Sequence, residues 1–219
     1  MRYYPVFLNL KGKKCIVIGG GEVAERKVLS LLQAQAEVTV ISPSLTEGLG
    51  FLKLHNRITH IAREYREGDL EGAFLVIAAT SDEEANSRVF NEAEKRGIPV
   101  NVVDSPGLCR FIVPSVIRKG SLTIAISTSG VSPAMARTLR QEIENFLPET
   151  IEEFLLFIEE TRKEVMRNIK DPQKRRETLE LIGSPDCINI LREKGLEEAK
   201  RFIEDILRRR IENWKNTLS

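Results

Sequence analysis

Residues 13–33, KKCIVIGGGEVAERKVLSLLQ, constrain this chain more than any other stretch. A short apolar run, three consecutive glycines and a helical pattern follow one another without a break. Cys15 to Ile18 are apolar at every position, as in a strand buried on both faces. Ala24, Val28, Leu31 and Leu32 recur at helical spacing, which predicts a helix with one apolar face. Between the two, Gly19, Gly21 and Ala24 satisfy G-x-G-x-x-A, the dinucleotide fingerprint with alanine at its third small position. Gly19 permits the tight turn and Gly21 lets backbone N–H groups approach a pyrophosphate at the positive end of the helix, while Ala24 lets helix and strand pack closely. Gly19, Gly21, Glu22 and Val23 are therefore candidate cofactor contacts. The competing reading is a plain tight turn.

The pattern then repeats. EVTVIS reads as a second strand, and LKLHNRITHIAREY lies between it and a third; AFLVIAAT, DEEANSRVFNEAEKRG and IPVNVVD continue as strand, helix, strand. Strands separated by helices pair in parallel through right-handed crossovers. Residues 1–113 are thus expected to form a Rossmann-like, doubly wound parallel α/β sheet. Residues 114–148 change character: FIVPSVI and SLTIAISTS flank RKG as in a hairpin, and a helix carrying Met135, Leu139, Ile143 and Phe146 follows. Two strands are too few to be stable alone. A second subunit is expected to complete this small α+β segment, making the protein a homodimer.

Residues 149–219 read as an all-helical domain. Charged side chains make up 31 of these 71 residues, and Ile151, Leu155, Ile158, Val165 and Ile169 recur at helical spacing. Leu196, Ala199, Ile203, Ile206 and Trp214 do the same, and Ser184 in GSPD is placed to cap a helix.

Composition narrows the partners. With 33 basic and 32 acidic residues the net charge is +1, which argues against nucleic acid or an acidic membrane surface. No run approaches the roughly 20 apolar residues of a membrane span, and the N-terminus lacks a signal-peptide pattern, so a cytoplasmic location is expected. Cys15, Cys109 and Cys187 are odd in number and far apart, neither a disulfide framework nor a metal-ligand spacing. They read as reduced packing thiols, and no metal site is expected.

In an open parallel sheet the ligand lies beyond the C-terminal strand ends. These ends fall at Gly19–Val23, Ser42–Ser44, Ala79–Ser81 and Asn101–Ser105, which adds Pro43, Ser44 and Thr80 to the cofactor candidates. No Asp or Glu stands at 40–44 to bond a ribose hydroxyl, and no Arg at 40–48 to hold a 2′-phosphate. NAD held by backbone and hydroxyl groups is preferred to NADP. Asp104 occupies the last strand end, but Asp before Ser-Pro-Gly is equally good turn chemistry. His55 and His60 are expected at the surface, and no catalytic triad or metal cluster can be built by spacing. Arg110, Arg118, Lys119, Arg137 and Arg140 could pair with an anionic substrate, as could the hydroxyl-rich loop around Ser127 to Ser132.

Taken in order, YYPVFLNLKGKKCIVIGGGEVAERK, AAT at 78–80, NVVDSP at 101–106, FIVPS at 111–115 and STSGVSPAMARTLR at 127–140 resemble the precorrin-2 dehydrogenase and sirohydrochlorin ferrochelatase family. This is the N-terminal module of siroheme synthases. The likeness is strong over residues 1–148 and loose beyond. It implies NAD-dependent oxidation of precorrin-2 to sirohydrochlorin in a homodimer, with insertion of Fe2+ to give sirohaem in some members. It also implies that Asp104 is the general base. A tetrapyrrole bearing eight carboxylates would give Asn101, Arg110, Ser129 and Arg137 a role as substrate contacts. An NAD-sensing regulatory module without catalysis is the alternative, and it would have no use for Asp104.

Overall fold

The computed structural model describes residues 3–215, with side chains through Arg210, and the chain divides between Val113 and Pro114 into two compact units. The first contains β1 (Lys14–Ile18), α1 (Glu22–Gln33), β2 (Glu37–Ile41), α2 (Glu47–Leu54), β3 (Thr59–Ile61), β4 (Leu75–Ala78), α3 (Glu83–Arg96) and β5 (Val100–Val102). All four strand pairings are parallel, in the order β3-β2-β1-β4-β5. From β1 the chain steps outward to β2 and β3, then returns to the other side of β1 for β4 and β5. The reversal opens a crevice at the C-terminal ends of β1 and β4, where such sheets bind ligands.

The alternation within β1 explains its uninterrupted apolar run. Cys15 and Val17 join a core with Ala24, Val28 and Leu31 of α1 and Leu49 of α2, while Ile16 and Ile18 join a second core with Val89 and Ala93 of α3. Helices therefore cover both faces of the sheet. Each fully buried aliphatic side chain contributes about 1.5–3 kcal/mol, and β1 has three in this state or close to it, Ile16, Val17 and Ile18. Helix α2 had no sequence expectation. Its EGLGFLKL contains two glycines, which weaken a helix, yet Thr46 Oγ1 caps it by accepting from Leu49 N at 3.2 Å.

The second unit begins with β6 (Ser115–Lys119) and β7 (Leu122–Ile126), an antiparallel hairpin closed by a two-residue turn. Helix α4 (Pro133–Phe146) lies against it. The expected apolar stripe of α4 is present, but Met135 and Leu139 are exposed and Ala136 is the buried position. Helices α5 (Ile151–Asn168), α6 (Pro172–Ile182), α7 (Pro185–Lys194) and α8 (Leu196–Lys215) share a core of Ile151, Phe154, Val165, Ile182, Leu191 and Ile203, among others. Leu122 of the hairpin packs against that core. Ser184 stands at the N-cap of α7 as expected, but its side chain does not cap: Oγ lies 3.6 Å from Cys187 Sγ. The side chain of Trp214 lies outside the described residues. No described helix is long and apolar enough to cross a membrane.

Candidate active site at the strand ends

The glycine loop is fixed by its neighbours on both sides. Gly19 has φ +115°, and a Cβ there would lie 2.3 Å from Ala79 O. A Cβ on Gly20 would lie 2.0 Å from Ser44 O. Gly19 N donates to Ile41 O and Thr46 N donates to Gly20 O, each at 2.9 Å, so the loops after β1 and β2 are stitched together. Ser42 Oγ closes the second loop by donating to Ser44 O at 2.7 Å. Gly21 differs: a Cβ on it would meet nothing within 4 Å, and its φ of −85° is open to any residue. It is also the N-cap of α1 and supplies no side-chain acceptor, so the first-turn N–H groups of that helix are uncapped. A pyrophosphate fits such a cradle, close to free N–H donors at a positive helix end. The fingerprint assigns no role to Gly20. The third consecutive glycine was its signal, since the fingerprint requires only two.

Of the remaining cofactor candidates, Pro43 and Ser44 line an open groove with Leu45, Lys53 and His60, and no carboxylate lines it. His60 departs from its expected surface position. It is half-buried, its Nε2 donates to Ser42 O at 2.9 Å, and its buried Nδ1 has no partner. Placed between Thr59 and Ile61 on β3, it holds the loop after β2 through that bond, which no local pattern reveals. Thr80 holds the loop after β4, accepting at Oγ1 from Asp82 N (3.1 Å) and at its carbonyl from Asn86 Nδ2 (3.0 Å). Glu22 is exposed and Val23 half-buried.

Asp104 is exposed just beyond β5, with φ +59°. The left-handed region is uncommon for non-glycine residues, although Asp tolerates it better than most. Both flanks hold it there. Ser105 N donates to Val102 O (3.2 Å), and Leu108 N to Ser105 O (2.9 Å) in the 3₁₀ turn Pro106–Leu108. The buried Cys109 thiol reaches Val102 O at 3.1 Å and Ser105 O at 3.3 Å, and Arg110 N donates to Val100 O at 2.8 Å. The turn is real, and it presents the carboxylate to solvent at a strand end.

Two expected substrate contacts have partners within the protein. Asn101 is buried in β5 and donates from Nδ2 to Phe111 O at 2.9 Å, which makes it a strut under the Asp104 loop. Arg110 forms a two-pronged pair with Glu94, its Nε–Oε1 distance being 2.7 Å, and stacks 4.9 Å from the Phe90 ring centroid. The Glu94 hydrogen bond raises the Arg110 pKa above its ordinary value. In the second unit Ser129 and Arg137 are exposed. Ser129 has φ +55° and donates its N–H to Ser127 Oγ at 3.0 Å, in a loop that ends with Ser132 capping α4 at Met135 N. Burial pushes the Cys15 thiol up to about 11, so it stays a protonated packing group at neutral pH. No group of three or more potential ligand residues could hold a metal ion among the described residues.

Residues 6–115 match the NAD_binding_7 family, an NAD(P)-binding one by its description, and residues 119–145 match the central segment of a sirohaem biosynthesis protein. The chain is a member of that NAD(P)-binding family. A protein named siroheme synthase from Thioalkalivibrio sulfidiphilus is 43% identical over 202 residues, 92% of this chain and 41% of the relative. Another of that name from Methylobacillus flagellatus is 45% identical over 176 residues, 80% of this chain and 38% of the relative. The chain thus spans about two fifths of the length of these relatives. Among solved structures, one named SirC, precorrin-2 dehydrogenase, superposes with a TM-score of 0.80 at 25% identity, covering 94% of this chain and 100% of that one.

Proposed function

We propose that the protein oxidises precorrin-2 to sirohydrochlorin, with NAD as acceptor and Asp104 as general base. The observation that carries this reading is Asp104 itself: an exposed carboxylate with φ +59°, braced from both sides at a strand end of an NAD(P)-binding sheet. The substrate class is taken from the name of the structural relative. When bound, NAD supplies a two-electron acceptor that takes hydride. Asp104 takes the proton lost from the neighbouring atom of the macrocycle, so that two hydrogens leave as hydride and proton. Gly19, Gly21, Glu22 and Val23 hold the pyrophosphate end of the cofactor, Pro43 and Ser44 the ribose end, and Thr80 shapes the loop beside it. The lack of an arginine at 40–48 to hold a 2′-phosphate favours NAD over NADP. Ser129 and Arg137 are proposed contacts for substrate carboxylates.

Residues 114–148 are proposed as a homodimerisation segment and 149–219 as a helical domain. The hairpin has only two strands among the described residues, and Val131, Met135 and Leu139 are exposed. A cytoplasmic enzyme acting on a soluble tetrapyrrole fits the absence of any membrane-crossing helix among the described residues. If ferrous iron is inserted into sirohydrochlorin as well, Asp104 is the group that would accept the pyrrole protons. Incubating the protein with precorrin-2 and NAD should form NADH and sirohydrochlorin in equal amounts. Binding of NAD with no turnover would instead favour a sensor module.

A further inference from the structure

The loop that carries Asp104 is tied at its base by two buried side chains, Asn101 and Cys109. Asn101 Nδ2 donates to Phe111 O at 2.9 Å and to the Cys109 thiol at 3.5 Å. The thiol in turn donates to Val102 O at 3.1 Å and to Ser105 O at 3.3 Å. These two carbonyls lie on either side of Asp104 along the chain. Val103, between them, is fixed by its own N–H, which donates to Ala78 O at the end of β4 at 2.9 Å. With Val102, Val103 and Ser105 anchored, the chain turns at Asp104, and it does so at φ +59°. An L-residue holds that conformation only where its surroundings impose it. The carboxylate itself forms no hydrogen bond or ion pair among the described residues, so its place depends on the backbone beneath it.

We propose, on the reading of Asp104 as the base, that Cys109 and Asn101 are its positioning residues: through the carbonyls of Val102 and Ser105 they hold the left-handed turn that presents the carboxylate beyond β5. Neither meets the substrate, since both side chains are buried and engaged with the loop's own backbone and with each other. A thiol is a weak donor with one hydrogen to share between two carbonyls, so its contribution to the stability of the fold is small. Its effect falls instead on which conformation the turn keeps. That matters for a base, because about 1 Å of misplacement can slow a reaction roughly a hundredfold.

The test is NADH formation from precorrin-2 at saturating NAD by the wild type, Cys109→Ala and Cys109→Ser, each also combined with Asp104→Asn. Cys109→Ala should lower kcat by about tenfold or more, while the KM for NAD changes by less than about twofold. Cys109→Ser should recover most of the loss, because its hydroxyl still donates. Added to Asp104→Asn, Cys109→Ala should cost nothing further, since no base is left to position. Wild-type kcat in Cys109→Ala, an equal loss in the alanine and serine variants, or the same fold-loss in the Asp104→Asn background would each overturn the assignment. If Cys109→Ala does not fold, by its melting curve, Asn101→Ala takes its place with the same expectations and the same refutations. A wild type that binds NAD but never turns over precorrin-2 would defeat the role of Asp104 and this one with it; turnover that Cys109→Ala leaves intact would defeat this one alone.

Discussion

Single residues at this site divide by what a side chain added to them would meet. Gly20 has no room because the backbone of the β2 loop already lies against it, whereas Gly21 faces open space. Substituting Gly21→Ala should leave the melting temperature unchanged and raise the Kd for NAD about tenfold or more, since a methyl group would occupy the approach of the pyrophosphate. Titration of NAD against wild type and variant checks this; unaltered affinity would remove Gly21 from the cofactor site. The positions of Gly21 and Asp104 in the fold were legible in the sequence because each carries a local signal, a motif and a strand end. His60 and Asn101 were not. Their partners lie on other elements, as with His60 and Ser42 O, and no periodicity encodes such contacts.

At the scale of elements, long apolar alternations were readable and short capped pieces were not. The strands β1, β2, β4 and β5 and helices α1 and α3 follow from periodicity, whereas α2 depends on Thr46 bridging its N-terminus to Glu25 at 2.5 Å on α1. The connection from β3 to β4 has a similar anchor in Arg63 and Asp69, which share two hydrogen bonds of 2.7 Å. The Arg63 hydrogen bond lowers the Asp69 pKa below its ordinary 3.8, against an opposing effect of burial. The unfolded chain therefore binds the proton more readily, and the pair stabilises the fold fully above pH 3.8, less as pH falls through the folded pKa. Asp69→Asn should lower the melting temperature by about 2–4 °C at pH 7, with the gap to wild type closing in acid. Melting curves across that range check it; a gap independent of pH would mean that the carboxylate charge contributes nothing.

For the molecule as a whole, the hairpin unit bears on assembly. A two-stranded sheet with exposed Met135 and Leu139 on the adjoining helix is the part of the chain least able to satisfy itself. Light scattering should give twice the 24.8 kDa chain mass, and Leu139→Glu should shift it toward the monomer; a monomeric wild type would refute the dimer. The parallel fold over residues 1–113 was legible because buried central strands and amphipathic helices leave opposite patterns. The packing of the C-terminal helices was not, since charged faces show which side is wet but not which neighbour covers the other. The central claim is that Asp104 performs the proton transfer in precorrin-2 oxidation. Its most direct test is single-turnover NADH formation from precorrin-2 by wild type and Asp104→Asn at saturating NAD. The account predicts equal NAD affinity and a rate at least about a hundredfold lower in the variant; equal rates in the two would contradict it.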